Sequence, residues 1–513
     1  MLRTRTGSAW LAAAALALSQ AGAARAYPID GYEYTGLFRL EATRLVQLGR
    51  ASGVKRAPGE LLPLEQVQLR LLAHPDLQLP PPDPALTAEV RGLLGAAASR
   101  YGIALLDLSD VSKPRYAEWQ GDQQQNPGSV GKLLVALAVF QALADMHPDD
   151  IAARERVLRE TIITADVFSV YDHHTVPKLD PKTNRVFRAP IQQGDRASLW
   201  TYLDWMMSPS SNSAAGMLQK HLILMKQFGT AYPPSPEQEQ QFFAASSAKQ
   251  LGDLFAQAIQ GPVARNGLDL NALRQGSFLT HEGKKRVPGP TSYATPHELL
   301  RYMLLMEQGR LVDPWSSREI KRLMYVTERR IRYASAGILR DSAVYFKSGS
   351  LYSCMPEPGF VCKKYHGNKR NYMNSAAIVE TPAGQDQLYY MTAVLSNVLR
   401  KNSAADHQEL ARAIHVQLLA DHPDRQPDAA RFGEGLIGYA EERRTVALKL
   451  ETQQALLDLG YPIGAVDGLI GANTRGAIRD FQKRHGLAVT GEPSEELLVR
   501  LREAEQEDRG AED

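Results

Sequence analysis

The chain contains the run Asn126-Pro127-Gly128-Ser129-Val130-Gly131-Lys132, which continues directly into the apolar segment Leu133-Leu134-Val135-Ala136-Leu137-Ala138-Val139-Phe140. The second segment is apolar on every side and too short to cross a bilayer, so it predicts a helix buried in the middle of a domain. Serine at the start of that helix and lysine one turn later lie on the same face, with the amine within reach of the hydroxyl proton. The Ser129 backbone N–H, at the helix N-terminus, is also a natural oxyanion donor.

Predicted strands stand on both sides of this run. Before it, Ile103–Leu108 and Tyr116–Gln120 predict a hairpin. Far downstream, Ala343–Phe346 predicts a third strand, and a second hairpin and a closing helix follow it, at residues 375–381, 387–395 and about 404–419. Terminal elements that sandwich a sheet, with a helical part inserted between them, predict an α+β fold.

Ser-x-x-Lys is not rare in this chain. It also occurs at Ser52/Lys55 and at Ser246/Lys249. The pattern therefore carries information only through its surroundings. Ser129/Lys132 alone follows a predicted hairpin, stands in a Pro-Gly turn and leads into a buried helix.

Two other short motifs follow in order. Ser210-Ser211-Asn212 is, taken alone, a polar loop before a helix, and Lys347-Ser348-Gly349 is an ordinary strand end, where glycine indicates close packing. Together with Ser129/Lys132, they resemble the active-site signature of the serine β-lactamase and penicillin-binding protein superfamily. The resemblance runs from roughly residue 84 to 420, and the layout is most similar to class A β-lactamases. It implies an antiparallel sheet with flanking helices plus a helical subdomain.

The resemblance implies a catalytic role for four residues. Ser129 would be the acylated nucleophile, and Lys132 would be its general base or part of the base network. Ser210 would relay a proton to the leaving amine, and Lys347 would adjust the electrostatics near Ser210. A lysine that is desolvated beside a second lysine has a physical reason to be neutral, which suits a base.

The resemblance also implies a substrate-binding role for four residues. Asn212 would hold the amide side chain of the substrate, and Ser348 would hold its carboxylate together with Lys347. The backbone N–H groups of Ser129 and Ser350 would form the oxyanion hole, with Gly349 between Ser348 and Ser350. No basic residue can be placed from the sequence as an additional carboxylate-binding arginine.

One departure from the class A pattern concerns the second half of the reaction. Class A β-lactamases deacylate with a glutamate that positions water, followed four residues later by an asparagine. Glu282 stands at roughly the right place, but position 286 is arginine. The alternative, which we favour, is a solvated loop carboxylate beside Lys284 and Lys285. The sequence therefore predicts acylation and leaves open a β-lactamase, a D,D-peptidase, a non-hydrolytic penicillin-binding sensor and an esterase.

The C-terminal segment has a pattern of its own. It contains Leu456-Leu457-Asp458-Leu459-Gly460-Tyr461, an Asp-Gly turn at 467–468, and Ile478 and Phe481 on the apolar face of a second helix. A third helix is predicted near Pro493. These residues predict a small three-helix unit, and the set closely resembles the peptidoglycan-binding module of cell-wall enzymes. The resemblance implies peptidoglycan as a partner beside the β-lactam or D-Ala-D-Ala substrate.

The N-terminus has the layout of a secretory signal peptide. Arg3 and Arg5 precede an apolar stretch from Ala9 to Leu18, and Ala24-Arg25-Ala26 supplies a small-residue cleavage pattern. The apolar stretch is shorter than the roughly 20 residues of a membrane helix. We therefore expect export to the periplasm or beyond, association with the cell wall, and no membrane span after signal removal. The expected boundaries are a signal peptide at 1–26, a helical extension at 27–83, a catalytic domain at 84–422, a linker at 423–445, a peptidoglycan-binding domain at 446–505 and an acidic tail at 506–513.

Composition restricts the remaining possibilities. The 513 residues are 44% hydrophobic and 23% charged, which is typical of globular proteins. A net charge of +2 excludes a strongly basic nucleic-acid-binding protein. Three His-Pro-Asp tripeptides, at His74, His147 and His422, predict helix ends and not ligands, and we expect no metal and no cofactor. Cys354 and Cys362 could close a nine-residue disulfide loop in an oxidising compartment or remain free thiols.

Overall fold

The computed structural model describes residues 31–170, 172–180, 185–328, 330–425, 448–449, 451–463 and 470–510. It divides into two compact units, Met1–Gln426 and Pro427–Asp513. The predicted signal peptide, most of the predicted linker and the end of the acidic tail lie outside the described residues. The two units are treated separately below.

The first unit is a five-stranded antiparallel sheet with helical layers. The strands follow the order β2-β1-β11-β10-β9, so the first and last strands in the chain, β1 and β11, pair with each other inside the sheet, and β2 and β9 form its edges. The strands are β1 Tyr101–Asp107, β2 Arg115–Trp119, β3 Ile162–Thr164, β4 Val176–Asp180, β5 Arg185–Ala189, β6 Arg196–Ser198, β7 Leu273–Arg274, β8 Tyr293–Ala294, β9 Ala343–Ser353, β10 Arg370–Thr381 and β11 Leu388–Asn397.

The helices of this unit stand before, between and after the strands of the main sheet. They are α1 Tyr32–Thr35, α2 Phe38–Gln47, α3 Pro84–Leu93, α4 Lys132–Met146, α5 Ile151–Glu160, α6 Leu199–Met207, α7 Asn212–Phe228, α8 Pro236–Ala245, α9 Ala248–Arg265, α10 His281–Arg286, α11 Pro296–Glu307, α12 Pro314–Tyr325 and α13 Ser403–Asp421. The α+β class, both hairpins and the closing helix are confirmed.

Alternation along the strands separates two apolar cores. Ala104 and Leu106 of β1 belong to the larger core, which contains the helices of the inserted part, whereas Ile103 and Leu105 face a smaller core beside α3 and α13. Helix α4 lies within the larger core. Among the described residues, Gly128–Met146 is the one stretch whose length and hydropathy would suit a membrane span, and 78% of it is buried in the unit.

The residues before α3 differ from the prediction. Within 27–83 the sequence has amphipathic spacing at 40–48 and at 64–72, which predicts two helices. Helix α2 covers most of the first, but the second prediction is wrong, because only Leu64–Gln66 forms a turn of 3₁₀-helix. Val67, Leu69 and Leu71 beyond it are buried at alternate positions, and the Leu71 N–H donates to the Glu307 carbonyl. An extended chain that packs against α11 takes the place of the predicted helix at 64–72. The prediction that His74 marks the end of a helix is therefore also wrong.

The segment 27–83 is not a separate extension where the structure describes it. Leu37, Leu40, Leu62 and Val67 belong to the same apolar core as α4. The segment falls within the first compact unit. Helix α3 begins at the expected boundary, and the Asp83 side chain accepts hydrogen bonds from two of its backbone N–H groups.

The second unit is the small helical unit that the sequence predicts. Residues 451–458 are helical, and the helices Ala472–Arg484 and Glu495–Gly510 follow. Their apolar faces meet around Leu456, Ile478, Phe481 and Leu497, all nearly inaccessible to solvent. Three helices therefore enclose a core of their own, and the Asp-Gly turn at 467–468 lies outside the described residues.

Candidate active site

Ser129 lies in a turn of 3₁₀-helix, Gly128–Gly131, that leads directly into α4. Gly128 has a φ of +53°, which favours glycine, and its N–H donates to Asn126 Oδ1 at 2.9 Å. The buried apolar helix behind this turn holds the serine at a rigid position, as the sequence predicts.

Strand β9 crosses this turn at close range. A β-carbon at Gly349 would lie 2.4 Å from the Pro127 carbonyl oxygen and 2.6 Å from the Ser129 nitrogen. Glycine is therefore required at position 349 for the backbones to approach, which is the close packing that the sequence indicates. The Lys347-Ser348-Gly349 motif was expected at a strand end. This detail is wrong, because β9 continues to Ser353.

Strand alternation directs the side chains of this motif to opposite faces of the sheet. Lys347 pairs with Ala376, and Ala376 pairs with Ala393, and both alanines belong to the larger, helix-covered core. Lys347 therefore points to the layer that holds Ser129. Ser348 and Ser350 point to the other face.

The Lys132 amine is the centre of a polar cluster. Its Nζ lies 3.0 Å from Ser129 Oγ, 2.6 Å from the Ser210 carbonyl oxygen, 3.3 Å from Ser210 Oγ and 2.7 Å from Asn212 Oδ1. The residue is fully buried, and this burial lowers its pKa to about 7, against an opposing effect of the Asp172 charge. A large fraction of Lys132 is therefore neutral near pH 7.

Lys347 joins the same cluster from β9. Its Nζ donates to Ser210 Oγ at 2.8 Å and to the Ser348 carbonyl at 3.2 Å. Burial, then the charges of Lys132 and Arg332, hold the pKa of Lys347 well below the usual lysine value. Ser210 thus lies between two amines. It also has a φ of +65°, an uncommon backbone conformation for serine that these contacts help to hold.

The structure thus brings together the predicted residues of the three motifs. Ser350 N faces the nucleophile turn, since a β-carbon at Gly128 would lie 3.3 Å from it. Asn212 begins α7, where Ser211 caps the helix by accepting the Ala214 N–H at 3.1 Å. Cys354 and Cys362 form a disulfide immediately after β9.

Glu282 is placed differently. Its carboxylate accepts a hydrogen bond from Lys285 Nζ at 2.9 Å, and this hydrogen bond lowers its pKa. Where the chain is described, its side chain makes no hydrogen bond to Ser129 or Lys132. These contacts favour the loop-carboxylate interpretation.

Two residues that sequence reasoning missed reach the cluster from irregular segments. Arg332, with a φ of +54°, donates to Ser348 Oγ at 2.7 Å, to Ser350 Oγ at 3.1 Å and to the Tyr365 hydroxyl at 2.9 Å. Asp172 accepts hydrogen bonds from the 211–213 turn. Neither stands in a recognisable motif, so no local signal marked them.

Asp172, His173 and His174 are also a cluster of potential metal ligands, with ligand atoms within 4.8 Å of one another. Both oxygens of Asp172 already accept hydrogen bonds, from Ser211 Oγ on one oxygen and from the His174 ring on the other. Asp172 is therefore already engaged within the protein, and we assign no metal to this cluster.

Two family models match segments of this chain. Residues 237–418 match the family model described as the β-lactamase enzyme family, and residues 450–501 match the putative peptidoglycan binding domain. The chain therefore combines a β-lactamase-family domain with a peptidoglycan-binding module. The segment matched to the β-lactamase family includes Lys347, Ser348 and Gly349, whereas Ser129 and Ser210 precede it.

Solved structures similar to the β-lactamase-family domain include a β-lactamase from Sphaerobacter thermophilus, 16% identical with a TM-score of 0.43, covering 64% of this chain and 97% of that one. A β-lactamase from Chitinophaga pinensis is 17% identical, with a TM-score of 0.40 and coverage of 65% and 98%. A structure of PBP-A is 16% identical, with a TM-score of 0.40 and coverage of 66% and 98%.

Among curated proteins, a putative OxPP cycle protein OpcA from Nostoc punctiforme is 43% identical over 53 residues, which is 10% of this chain. The match spans 11% of the length of that relative.

Proposed function

We propose that the first unit is a serine acyl-transferring enzyme that forms an acyl-enzyme at Ser129 with β-lactams or D-Ala-D-Ala peptides. The observation that carries this proposal is the 3.0 Å contact between Ser129 Oγ and a buried lysine amine whose pKa is about 7. A serine hydroxyl is a poor nucleophile at neutral pH, and a neutral amine beside it supplies the missing base.

Acylation would proceed through groups that are already in contact. Neutral Lys132 takes the Ser129 proton as Oγ attacks the substrate carbonyl. The resulting oxyanion accepts hydrogen bonds from the backbone N–H groups of Ser129 and Ser350. As the carbon–nitrogen bond breaks, Ser210 Oγ gives its proton to the leaving nitrogen. Ser210 then recovers a proton from protonated Lys132, whose Nζ is 3.3 Å away, so that the leaving nitrogen has gained one proton, Ser129 has lost one, and both lysines return to their starting state.

The carboxylate of the substrate would bind beside β9. The Arg332 guanidinium and the Ser348 hydroxyl are 2.7 Å apart and together offer donors suited to a carboxylate. This assignment adds the basic residue that the sequence motifs lack, and it favours acyl donors that carry a carboxylate near the scissile bond.

Slow deacylation would follow from the surroundings of Ser129. Glu282 is paired with Lys285. Gln275 packs on Gly131, where a β-carbon would lie 2.2 Å from Gln275 Oε1. The side chain next to the nucleophile turn is therefore an amide. An amide cannot act as a general base toward water. These contacts support a penicillin-binding D,D-peptidase more than an efficient β-lactamase, with a sensor or an esterase as alternative functions.

We also propose that the protein is exported and that its peptidoglycan-binding module holds the enzyme at the cell wall. The signal-peptide pattern at 1–26 and the wall-binding family match support this location. Attachment would raise the local concentration of wall peptides even if the module binds weakly.

Intact-protein mass over time after mixing with excess benzylpenicillin tests the proposal. A lasting mass increase in the wild type and none in Ser129→Ala is expected. Ser246→Ala is the matched control, because Ser246 belongs to another Ser-x-x-Lys match and its hydroxyl donates to the Phe242 carbonyl of the preceding helix, α8. Penicillin loss without an adduct would indicate a β-lactamase. If neither an adduct nor loss of penicillin is observed, acylation by β-lactams is refuted.

A further inference from the structure

Asp172 is a buried carboxylate that contacts the active site from a distant part of the chain. Only 1% of its side chain is exposed. One oxygen accepts hydrogen bonds from Ser211 Oγ at 2.8 Å, from the Asn212 N–H at 2.6 Å and from the Ser213 N–H at 3.0 Å. The carboxylate thus accepts hydrogen bonds from the first backbone N–H groups of α7, as a capping residue does.

His174 holds the other oxygen. Its backbone N–H donates at 3.1 Å and its ring Nδ1 lies 2.5 Å from Asp172 Oδ1. Burial raises the pKa of Asp172, but the hydrogen bond and charge of His174 and the turn donors outweigh it, and the pKa falls well below its usual range. Asp172 is therefore ionised throughout the range in which the enzyme would work.

The turn that Asp172 holds supplies the partners of Lys132. The Ser210 carbonyl and Asn212 Oδ1 accept from the amine at 2.6 and 2.7 Å. Asn212 contacts both groups, because its N–H donates to Asp172 and its Oδ1 accepts from Lys132, and Ser210 directly precedes Ser211, which also donates to Asp172. Displacement of this turn would move the amine.

We propose that Asp172, held by His174, is a positioning residue for the Ser129–Lys132 pair, which fixes the 210–213 turn and offsets the charge of protonated Lys132. The inference rests on the proposed function, since it assigns Lys132 as the base. It places a negative charge behind the Ser-x-Asn motif, contributed by a residue about 40 positions earlier.

The charge of Asp172 has a defined consequence for pH dependence. The charged or titratable groups coupled to Lys132 are Asp172, whose charge raises the pKa of Lys132, and His174 and Lys347, whose pKa values the Lys132 charge lowers. Burial lowers the pKa of Lys132 to about 7 and Asp172 opposes this effect. Loss of the Asp172 charge therefore lowers the pKa of Lys132 further, so the neutral amine persists to lower pH. A purely structural role would not change the pH at which acylation begins.

Asp172→Asn separates charge from position, because asparagine caps helices about as well as aspartate. Its amide oxygen can keep the three donors of the turn, and its NH₂ can donate to His174 Nδ1, whereas the hydrogen bond from the His174 backbone N–H is lost. The midpoint of the rise in acylation rate with pH should move down by about one unit or more in this variant. Asp172→Ala, which removes cap and charge, should slow acylation about 10- to 100-fold, as loss of orientation does.

Asp150→Asn is the matched control, because Asp150 caps α5 by accepting the Ala153 N–H and makes no described contact with the site. It should leave the midpoint and the rate unchanged. An unchanged or raised midpoint in Asp172→Asn would overturn the proposal.

Direct titration of Lys132 keeps this inference distinct from the proposed function. In protein labelled with ¹³C-lysine, with the signal assigned by Lys132→Arg, the Lys132 resonance should titrate at lower pH in Asp172→Asn than in the wild type. A wild type that is never acylated would refute the proposed function, while this titration would still support or refute the role of Asp172. A Lys132 resonance that titrates at the same pH in Asp172→Asn and in the wild type would refute the role of Asp172.

Discussion

Gly349 approaches Ser129 so closely that a β-carbon at position 349 would lie 2.6 Å from the Ser129 nitrogen. The strand that carries Lys347 and the turn that carries the nucleophile therefore contact each other through backbone atoms. This contact holds the two lysine amines on either side of Ser210.

Gly349→Ala should disrupt this contact. The added methyl would meet the backbone of Pro127 and Ser129, which cannot move as a flexible side chain can, so the strand and the turn must separate. We expect the second-order rate constant for acylation by benzylpenicillin to fall at least about 100-fold, since displacements near 1 Å have such effects. Gly92→Ala, in a helix with open space around it, should acylate like the wild type. Unimpaired acylation by Gly349→Ala would contradict the geometry.

The rate of acylation should rise with pH through about 7. Burial lowers the pKa of Lys132 to about that value, and the deprotonated amine is the form that accepts the Ser129 proton. Below pH 7 the amine is increasingly protonated and the rate should fall about tenfold per pH unit. Stopped-flow acylation between pH 5 and 9 measures this profile. A rate that is flat across this range would exclude Lys132 as the titrating base.

Arg332→Ala should separate recognition from chemistry. The guanidinium contacts Ser348 and Ser350 but none of the described contacts joins it to Ser129 or Lys132. We expect acylation by benzylpenicillin, which carries a carboxylate, to fall about 10- to 100-fold, the loss typical of a charged hydrogen bond. Acylation by p-nitrophenyl acetate, which has no carboxylate, should change little. Arg340→Ala, at an exposed position, is the control, and an equal loss with both acyl donors would argue against carboxylate binding.

Lys321→Met should destabilise the first unit. The Lys321 amine is inaccessible and lies 2.6 Å from Glu307 Oε1 and 2.8 Å from Glu380 Oε1. Its removal leaves two buried carboxylates without their shared cation, and breaking such a buried pair costs about 3–5 kcal/mol. Urea unfolding of the full chain, followed at the transition of this unit, measures the loss. Lys249→Met removes an exposed pair with Asp253 and should leave the urea midpoint of this unit unchanged.

Phe481→Asp should abolish binding to the wall and leave acylation intact. Phe481 is 1% exposed in the core of the second unit, so a buried charge there would unfold the module. The variant should no longer sediment with purified peptidoglycan sacculi, whereas its labelling by benzylpenicillin should match that of the wild type. Continued sedimentation would mean that the wall is bound elsewhere on the chain.

Local patterns account for much of this molecule. The apolar run after Lys132 indicates a buried helix because every side of it is hydrophobic, and the three-residue spacing of Ser129 and Lys132 brings the amine to the hydroxyl within one turn. Short apolar runs on either side of a turn predict the two hairpins. The three short motifs, in order, predict the contacts of Ser129, Lys132, Ser210 and Lys347.

Local sequence patterns do not predict contacts between segments that are distant in the chain. The stretch 64–72 has helical spacing, but its chain is extended because Val67 and Leu71 are buried against other elements. Arg332 and Asp172 stand in irregular segments, where residue type indicates neither burial nor partner. Asp172 reaches Asn212 across 40 residues, and Arg332 reaches Ser348 because strand alternation turns that hydroxyl to its face of the sheet. Neighbours along the chain therefore account for the helix, the hairpins and the order of the motifs, whereas the electrostatics of the two lysines depend on which distant charges folding buries beside them.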